Sequence, residues 1–187
     1  VTDPSAQAEL IIAFTNTVDI EDDTDALADT AGLARWLADA GLTTSTPVVT
    51  AEDHDRRHRF RSGVRELLGT ENQRAHVLAE ADSVLRELPL LVSASAALQD
   101  DGPALRPAPE LPAVPRAFAT LASALAVLLI TGEIERIKRC PAEDCGWVFW
   151  DNSKNRSRRW CSMRVCGNRN KARSFASRNR RSPDSPR

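Results

Sequence analysis

The 187-residue chain is long enough for one ordinary domain, or for one domain plus a small module. Its 42% hydrophobic and 27% charged residues exclude wholesale disorder. The net charge of -1 hides a segregation: residues 1–135 carry 22 acidic against 10 basic side chains, whereas residues 136–187 carry 4 against 15, so an acidic body precedes a basic end that calls for an anionic partner.

Residues 6–18 are mostly apolar and predict a helix closing near Phe14, Asn16 and Thr17; residues 19–29 are acidic and read as a surface loop. A short helix is expected over 31–40, with Leu33, Trp36, Leu37 and Ala40 on one face and Gly41 as its stop. Thr50 has the character of an N-cap, with Asp53 three residues on, and opens a helix to Leu68 whose apolar stripe is Phe60, Val64, Leu67 and Leu68. A further helix is expected over 71–88, burying Ala75, Leu78, Val84 or Leu85, and Leu88, and ended by Pro89. Residues 90–98 and 104–106 flank Asp100-Asp101-Gly102 and predict a β-hairpin. Five of the 11 prolines fall between Pro103 and Pro115, an extended connection into a long apolar helix over 114–130 that Gly132 stops. The apolar run 117–130 contains Thr120 and Ser123, is too short to span a bilayer and reads as a buried helix, so no membrane partner is expected. The charge balance flips near Glu135, which places a boundary there.

All four cysteines follow that boundary, as Cys140-x4-Cys145 and, after fifteen residues, Cys161-x4-Cys166. Two short-spaced pairs joined by a loop suit tetrahedral zinc, because each pair bends into a knuckle that presents two thiolates. The alternatives are four unliganded buried thiols or two disulfides, which a basic segment this small has no core to support. The spacer reads as a hairpin: Trp147 to Trp150 as one strand, 151–155 as the turn, and 156–160 as the return strand. A helix is expected over 168–180, so the order knuckle, hairpin, helix describes a treble clef. The fold class is therefore a mainly α N-terminal domain over 1–135, α+β if its small hairpin forms, then a treble-clef-like zinc finger over 136–181 and a disordered tail over 182–187. Four thiolates on one Zn²⁺ leave a charge of about -2 and no open ligand position, so this zinc is structural, with Arg139, Arg158, Arg159 and Arg164 near enough in sequence to offset it. The clustered thiols and the absence of a signal peptide at the N-terminus predict a cytoplasmic protein.

The run Cys140-Pro141-x3-Cys145-Gly146-Trp147-Val148-Phe149-Trp150-Asp151-x-Ser153 is followed by Arg158-Arg159-Trp160-Cys161-Ser162-Met163-x2-Cys166-Gly167-Asn168-Arg169-x-Lys171-Ala172-Arg173. Over residues 136–180 this closely resembles the CGNR zinc-finger family, whose signature is Cys166-Gly167-Asn168-Arg169. Trp150 departs from it, standing where a smaller apolar residue is common. Upstream, Phe14-x-Asn16-Thr17 and Leu33-x2-Trp36-Leu37 resemble the companion ABATE domain. The resemblance implies a bacterial, often stress-induced transcription regulator; the expected reading is that the basic zinc module holds duplex DNA and the N-terminal domain responds to a small-molecule or protein effector, with a homodimer left open.

Between Arg156 and Arg181 the charged residues are all positive, and arginine far outnumbers lysine, which suits bidentate contacts to phosphates and guanine edges. Arg169, Arg173 and Arg180 share one side of the expected helix, while Ala172, Phe175 and Ala176 are expected to face the zinc core. Asn168 and Arg169 follow the last cysteine directly, so zinc would fix them at the helix start; Arg169 and Arg173 are the candidates for base edges or nearby phosphates, and Arg158, Arg159, Lys171 and Arg180 for the backbone. A solvated basic face paired with the acidic body is the plainer reading. An RNA-binding or ribosome-associated zinc protein is the nearest rival, if Trp147, Phe149, Trp150 and Trp160 stack on bases rather than fill the finger's interior. A protein-interaction zinc module is the third. An enzyme has little to stand on: the finger has no histidine, and no nucleophile motif or glycine-rich phosphate loop appears. His54 and His58 have helical metal-pair spacing, but Arg56, Arg57, Arg59 and Arg61 crowd them, which reads as a solvated face.

Overall fold

The computed structural model describes residues 3–69, 90–93 and 104–180. The helix expected over 71–88, the turn at Asp100-Asp101-Gly102 and the tail over 182–187 lie outside the described residues.

Helix α1 (Ala6–Thr15) begins where the Ser5 hydroxyl accepts from the Ala8 N–H. It buries Ala8, Ile11 and Phe14 and is followed by a short antiparallel ribbon, β1 (Val18–Asp19) with β2 (Thr24–Asp25). The segment expected as a plain acidic loop is thus a hairpin with an ordered base. Helix α2 (Thr30–Asp39) is capped by Asp29, whose carboxylate accepts from the Gly32 N–H at 2.7 Å, and ends before Gly41 at φ +68°. Leu33 and Leu37 are fully buried and Ala34 nearly so, but Ala40 is exposed. The helix has closed by that point, so the four-residue spacing no longer holds Ala40 over the core.

Helix α3 (Ala51–Leu67) opens on the expected capping box, with Thr50 accepting from the Asp53 N–H and Asp53 from the Thr50 N–H, both at 3.1 Å. The antiparallel ribbon of β3 (Leu90–Ser93) with β4 (Ala104–Pro107) has Leu90 opposite Pro107 and Ser93 opposite Ala104, as the hairpin reading required. Helix α4 (Ala113–Thr131) stops at Gly132, φ +75°. It is long and apolar enough to cross a membrane, yet here it is the core helix, with Phe118, Leu121, Leu125 and Leu128 fully buried. α1 packs along it, and Ala117 and Ala122 are buried on it as well. Each such fully buried Leu or Phe contributes about 1.5–3 kcal/mol.

The row of arginines on α3 corrects the solvated-face reading. Arg57, Arg61 and Arg65 recur every fourth residue and are all buried, Arg57 completely. Asp25, at the end of β2, is the reason for the first two: its carboxylate takes two bonds from Arg61, at 2.6 and 2.7 Å, and lies 3.5 Å from Arg57, whereas Arg65 donates to backbone carbonyls of Thr15 and Gly146. Hydrogen bonds from Arg61 and the Leu27 N–H, with the charge of both arginines, outweigh the burial that would raise its pKa and hold it well below the usual carboxylate range. His54, half-buried, sits 2.8 Å from Arg57 Nη2, and His58 is exposed.

A 3₁₀ turn (Glu133–Arg136) leads into β5 (Ile137–Arg139), which pairs antiparallel with β6 (Val148–Trp150). The finger's hairpin therefore joins the strand before the knuckle to the strand after it, and residues 156–160 are not its partner. The cause is Asp151, completely buried. Its carboxylate accepts from the Ser153 N–H and hydroxyl, the Arg158 N–H and the Lys138 ammonium, while Lys138 also donates to the Arg156 and Arg158 carbonyls. The backbone groups that a returning strand would need are spent on this loop. A π-helical turn (Met163–Gly167) then feeds α5 (Asn168–Arg180).

The finger packs onto the N-terminal helices directly. Ile137 and Val148 belong to the same buried cluster as Ile11, Phe14, Phe60 and Leu125, and the Arg139 N–H donates to the Leu68 carbonyl at 3.0 Å.

Candidate metal centre and basic helix

Cys140 and Cys145 lie on the turn between β5 and β6, Cys161 follows the Asp151 loop, and Cys166 sits in the turn that opens α5. Three separate backbone segments thus converge. The four sulfurs lie within 4.8 Å of one another, with Cys145–Cys161 and Cys161–Cys166 at 3.5 Å. Tetrahedral zinc with bonds of about 2.3 Å requires sulfurs about 3.8 Å apart, so the spacing fits. A disulfide needs about 2.05 Å, so neither close pair is one. Burial pushes the Cys145 thiol up to about 11 and raises Cys161 too, while at Cys140 burial is outweighed by hydrogen bonds from the Cys161 and Ala142 backbone and from neighbouring thiols, which lower it. Four adjacent thiolates become compatible only around a cation.

The elements around the cluster are held by the N-terminal helices. The Asn16 side chain acts as a piece of backbone toward β6: its Nδ2 donates to the Val148 carbonyl and its Oδ1 accepts from the Val148 N–H, both at 2.8 Å. Arg65 donates to the Thr15 carbonyl at 2.6 Å and to the carbonyl of Gly146, next to ligand candidate Cys145, at 3.0 Å. Gly146 has φ +60°, the conformation that favours glycine, and a Cβ there would meet the ends of the Ile20 and Arg65 side chains at 2.7 and 3.0 Å, which would have to move aside. At Gly167 a Cβ would lie 2.5 Å from Met163 Sδ, which keeps the start of α5 close against the turn.

Helix α5 runs on past the knuckle, reaching it through Arg173 to Asp144, but turns its apolar side chains away. Ala172, Phe175 and Ala176, expected against the zinc core, are exposed, Phe175 by 60%. The cluster is instead covered by Phe149, Ala142 and Trp160, so nothing remains for those side chains to pack on. Of the finger's aromatics, Phe149 is buried, Trp150 and Trp160 are half-buried, and Trp147 is 40% exposed.

The basic candidates divide into two groups. Arg158 is committed within the finger: it lies over the Phe149 ring at 4.7 Å and donates to the Trp160 and Cys161 carbonyls. Arg169 donates to Asp144 at 2.5 Å and to Glu21 at 2.6 Å, and Arg173 to Asp144 at 2.9 Å. Hydrogen bonds from Arg173 and Arg169 hold the Asp144 carboxyl at about 2. Arg159, stacked 5.1 Å over Trp160, is exposed, as are Asn168 and Lys171. Arg178 and Arg164, from the same basic run, face solvent too. The side chain of Arg180 lies outside the described residues. Sequence reading missed Asp144 and Glu21 as partners of Arg169. The signal for Asp144 was its place as an acid between two cysteines in a segment otherwise dominated by arginine.

Comparison with known families gives two matches in chain order. Residues 8–132 match ABATE, described as "Putative stress-induced transcription regulator", and residues 136–179 match the CGNR zinc finger. A comparison with curated proteins gives no match. A CGNR finger with its four cysteine sulfurs in one cluster supports one structural zinc.

Proposed function

We propose that this chain, which belongs to the ABATE family and carries a CGNR zinc finger behind that domain, binds duplex DNA as a transcription regulator. Zinc held by Cys140, Cys145, Cys161 and Cys166 fixes the direction of α5, and α5 carries the contacts. The observation behind this reading is an exposed, arginine-rich helix that starts two residues after a metal-ligand candidate and packs against little else. Such a helix has the dimensions of a major groove, and its N-terminal N–H groups favour a phosphate.

Arg159, Asn168, Lys171 and Arg178 face solvent and are the first contacts; Arg173 and Arg169 join when their carboxylate partners give way. The N-terminal domain receives the effector, and its grip on β6 is the route by which an effector would reach the finger. Both family descriptions are of regulators or zinc fingers rather than enzymes, and the cytoplasm is the compartment that suits such a function.

The test is binding of zinc-loaded chain to labelled duplex DNA and to single-stranded RNA over a salt series, with selection from a random duplex pool. Four or five phosphate contacts predict a log–log salt slope of about -4 for the duplex. Preference for single-stranded RNA would move the reading to the exposed Trp147 and the Arg159–Trp160 stack. Binding to neither would remove nucleic acid from the function.

A further inference from the structure

We infer that the β1–β2 hairpin is an intramolecular stand-in for nucleic acid, with Glu21 occupying the signature arginine of the finger until a phosphate displaces it. This rests on the reading of α5 as the nucleic-acid contact. The hairpin concentrates charge: Asp19, Glu21, Asp22 and Asp23 put four carboxylates into five residues. It is also rigidly held at its base, where Asp25 is bidentate to the buried Arg61 and the Ala26 N–H donates to the Thr17 carbonyl at 2.8 Å. Its tip is shaped by Asp19, whose carboxylate accepts from the Glu21 N–H at 2.9 Å and the Asp22 N–H at 3.3 Å. Ile20 lies against Gly146 of the knuckle, so the tip is seated on the finger rather than beside it.

That seating delivers Glu21 to Arg169. The guanidinium then spends Nη2 on Glu21 and Nη1 on Asp144, while Arg173 spends both its terminal nitrogens on Asp144. A carboxylate and a phosphate make the same kind of charge-assisted, planar contact to arginine, so the two compete for one site. Asp144 belongs to the finger and travels with it; Glu21 belongs to the N-terminal domain, 148 residues away in sequence. An effector that shifted the hairpin would therefore free the Nη2 edge of that arginine for a phosphate while Asp144 kept the other edge oriented. The contact is partly exposed, Glu21 by 50%, so its strength is that of a surface pair.

The experiment compares full-length, zinc-loaded parent, Glu21→Gln and Asp22→Asn by fluorescence anisotropy with a labelled duplex of mixed sequence. Both substitutions remove one negative charge from the same exposed tip, but only the first reduces the ion pair with Arg169 to, at most, a neutral hydrogen bond. Glu21→Gln is expected to bind about 1.5- to 5-fold more tightly than the parent and than Asp22→Asn, the range that a surface ion pair allows, with the advantage fading at high salt. Equal affinities for the two variants, whether raised or unchanged, would overturn the latch while leaving the nucleic-acid reading intact. If parent and variants all failed to bind, that reading and the latch would fall together.

Discussion

Asn16→Ala is the most informative single substitution, because it touches neither the zinc ligands nor the apolar core yet severs a two-way bond between the domains. Val148 is completely buried, and the Asn16 amide supplies partners to both its N–H and its carbonyl. Alanine is too short to replace either partner, and no water reaches a fully buried residue cheaply. Each orphaned group costs about 1–3 kcal/mol, so the pair together costs roughly 2–5 kcal/mol, allowing for imperfect additivity. Against the 5–15 kcal/mol typical of a folded domain, this is a large fraction.

The assay is denaturant unfolding of zinc-loaded protein, followed in parallel by tryptophan emission and helical circular dichroism. Three of the four tryptophans (Trp147, Trp150 and Trp160) lie in the finger, so emission reports the finger and dichroism mainly the helices. The parent should show coincident transitions. Asn16→Ala should lower the midpoint and bring the emission change ahead of the dichroism change. Asn152→Ala, at an exposed loop position, should stay within about 0.5 kcal/mol. Coincident transitions at the parent's midpoint for Asn16→Ala would refute the claim that this side chain couples finger to domain.

How legible this was in the sequence depends on what kind of interaction sets each element. Helix starts at Thr50 and stops at Gly41 and Gly132 were legible because capping and left-handed turns are local chemistry. The cysteine cluster was legible because spacing alone prescribes it. The arginine row was not: Arg57 and Arg61 look like a solvated face until Asp25, 32 and 36 residues earlier in the chain, is brought beneath them, and Arg65 until the Thr15 and Gly146 carbonyls are. The strand partner of β6 was misassigned for a similar reason. A β-strand over 156–160 satisfies local propensity, but a buried Asp151 with Lys138 claims that backbone, and neither residue advertises this alone. Phe175 was misplaced because helical spacing identifies a face, not whether anything lies opposite it.

The remaining predictions test the metal, the buried charges, the helix and the boundary. Purified protein should hold one zinc per chain by elemental analysis, and Cys161→Ser or a strong chelator should unfold the finger, read as a red shift in tryptophan emission. Asp25→Asn should cost about 3–5 kcal/mol at neutral pH by stranding Arg61 and Arg57. Because the folded carboxyl is held below its unfolded value of about 4, that difference from the parent should persist above pH 4 and shrink as the pH falls further; a difference constant with pH would count against the pair. Lys171→Ala and Arg178→Ala should each weaken every duplex alike and flatten the salt slope by about 0.9, whereas a sequence-dependent loss would make them readers of bases. The boundary near Glu135 carries the last prediction. A chain cut there keeps α1, α2, α3 and α4, which hold most of the buried apolar side chains and no cysteine, so it should retain its helical dichroism. It also loses Ile137 and Val148 from that cluster, worth about 1.5–3 kcal/mol each, and the partners of Asn16 and Arg65. Its thermal midpoint should therefore fall well below that of the full chain. A truncated chain as stable as the whole would mean that the finger rests on the helices without supporting them, and that Asn16 and Arg65 serve the finger alone.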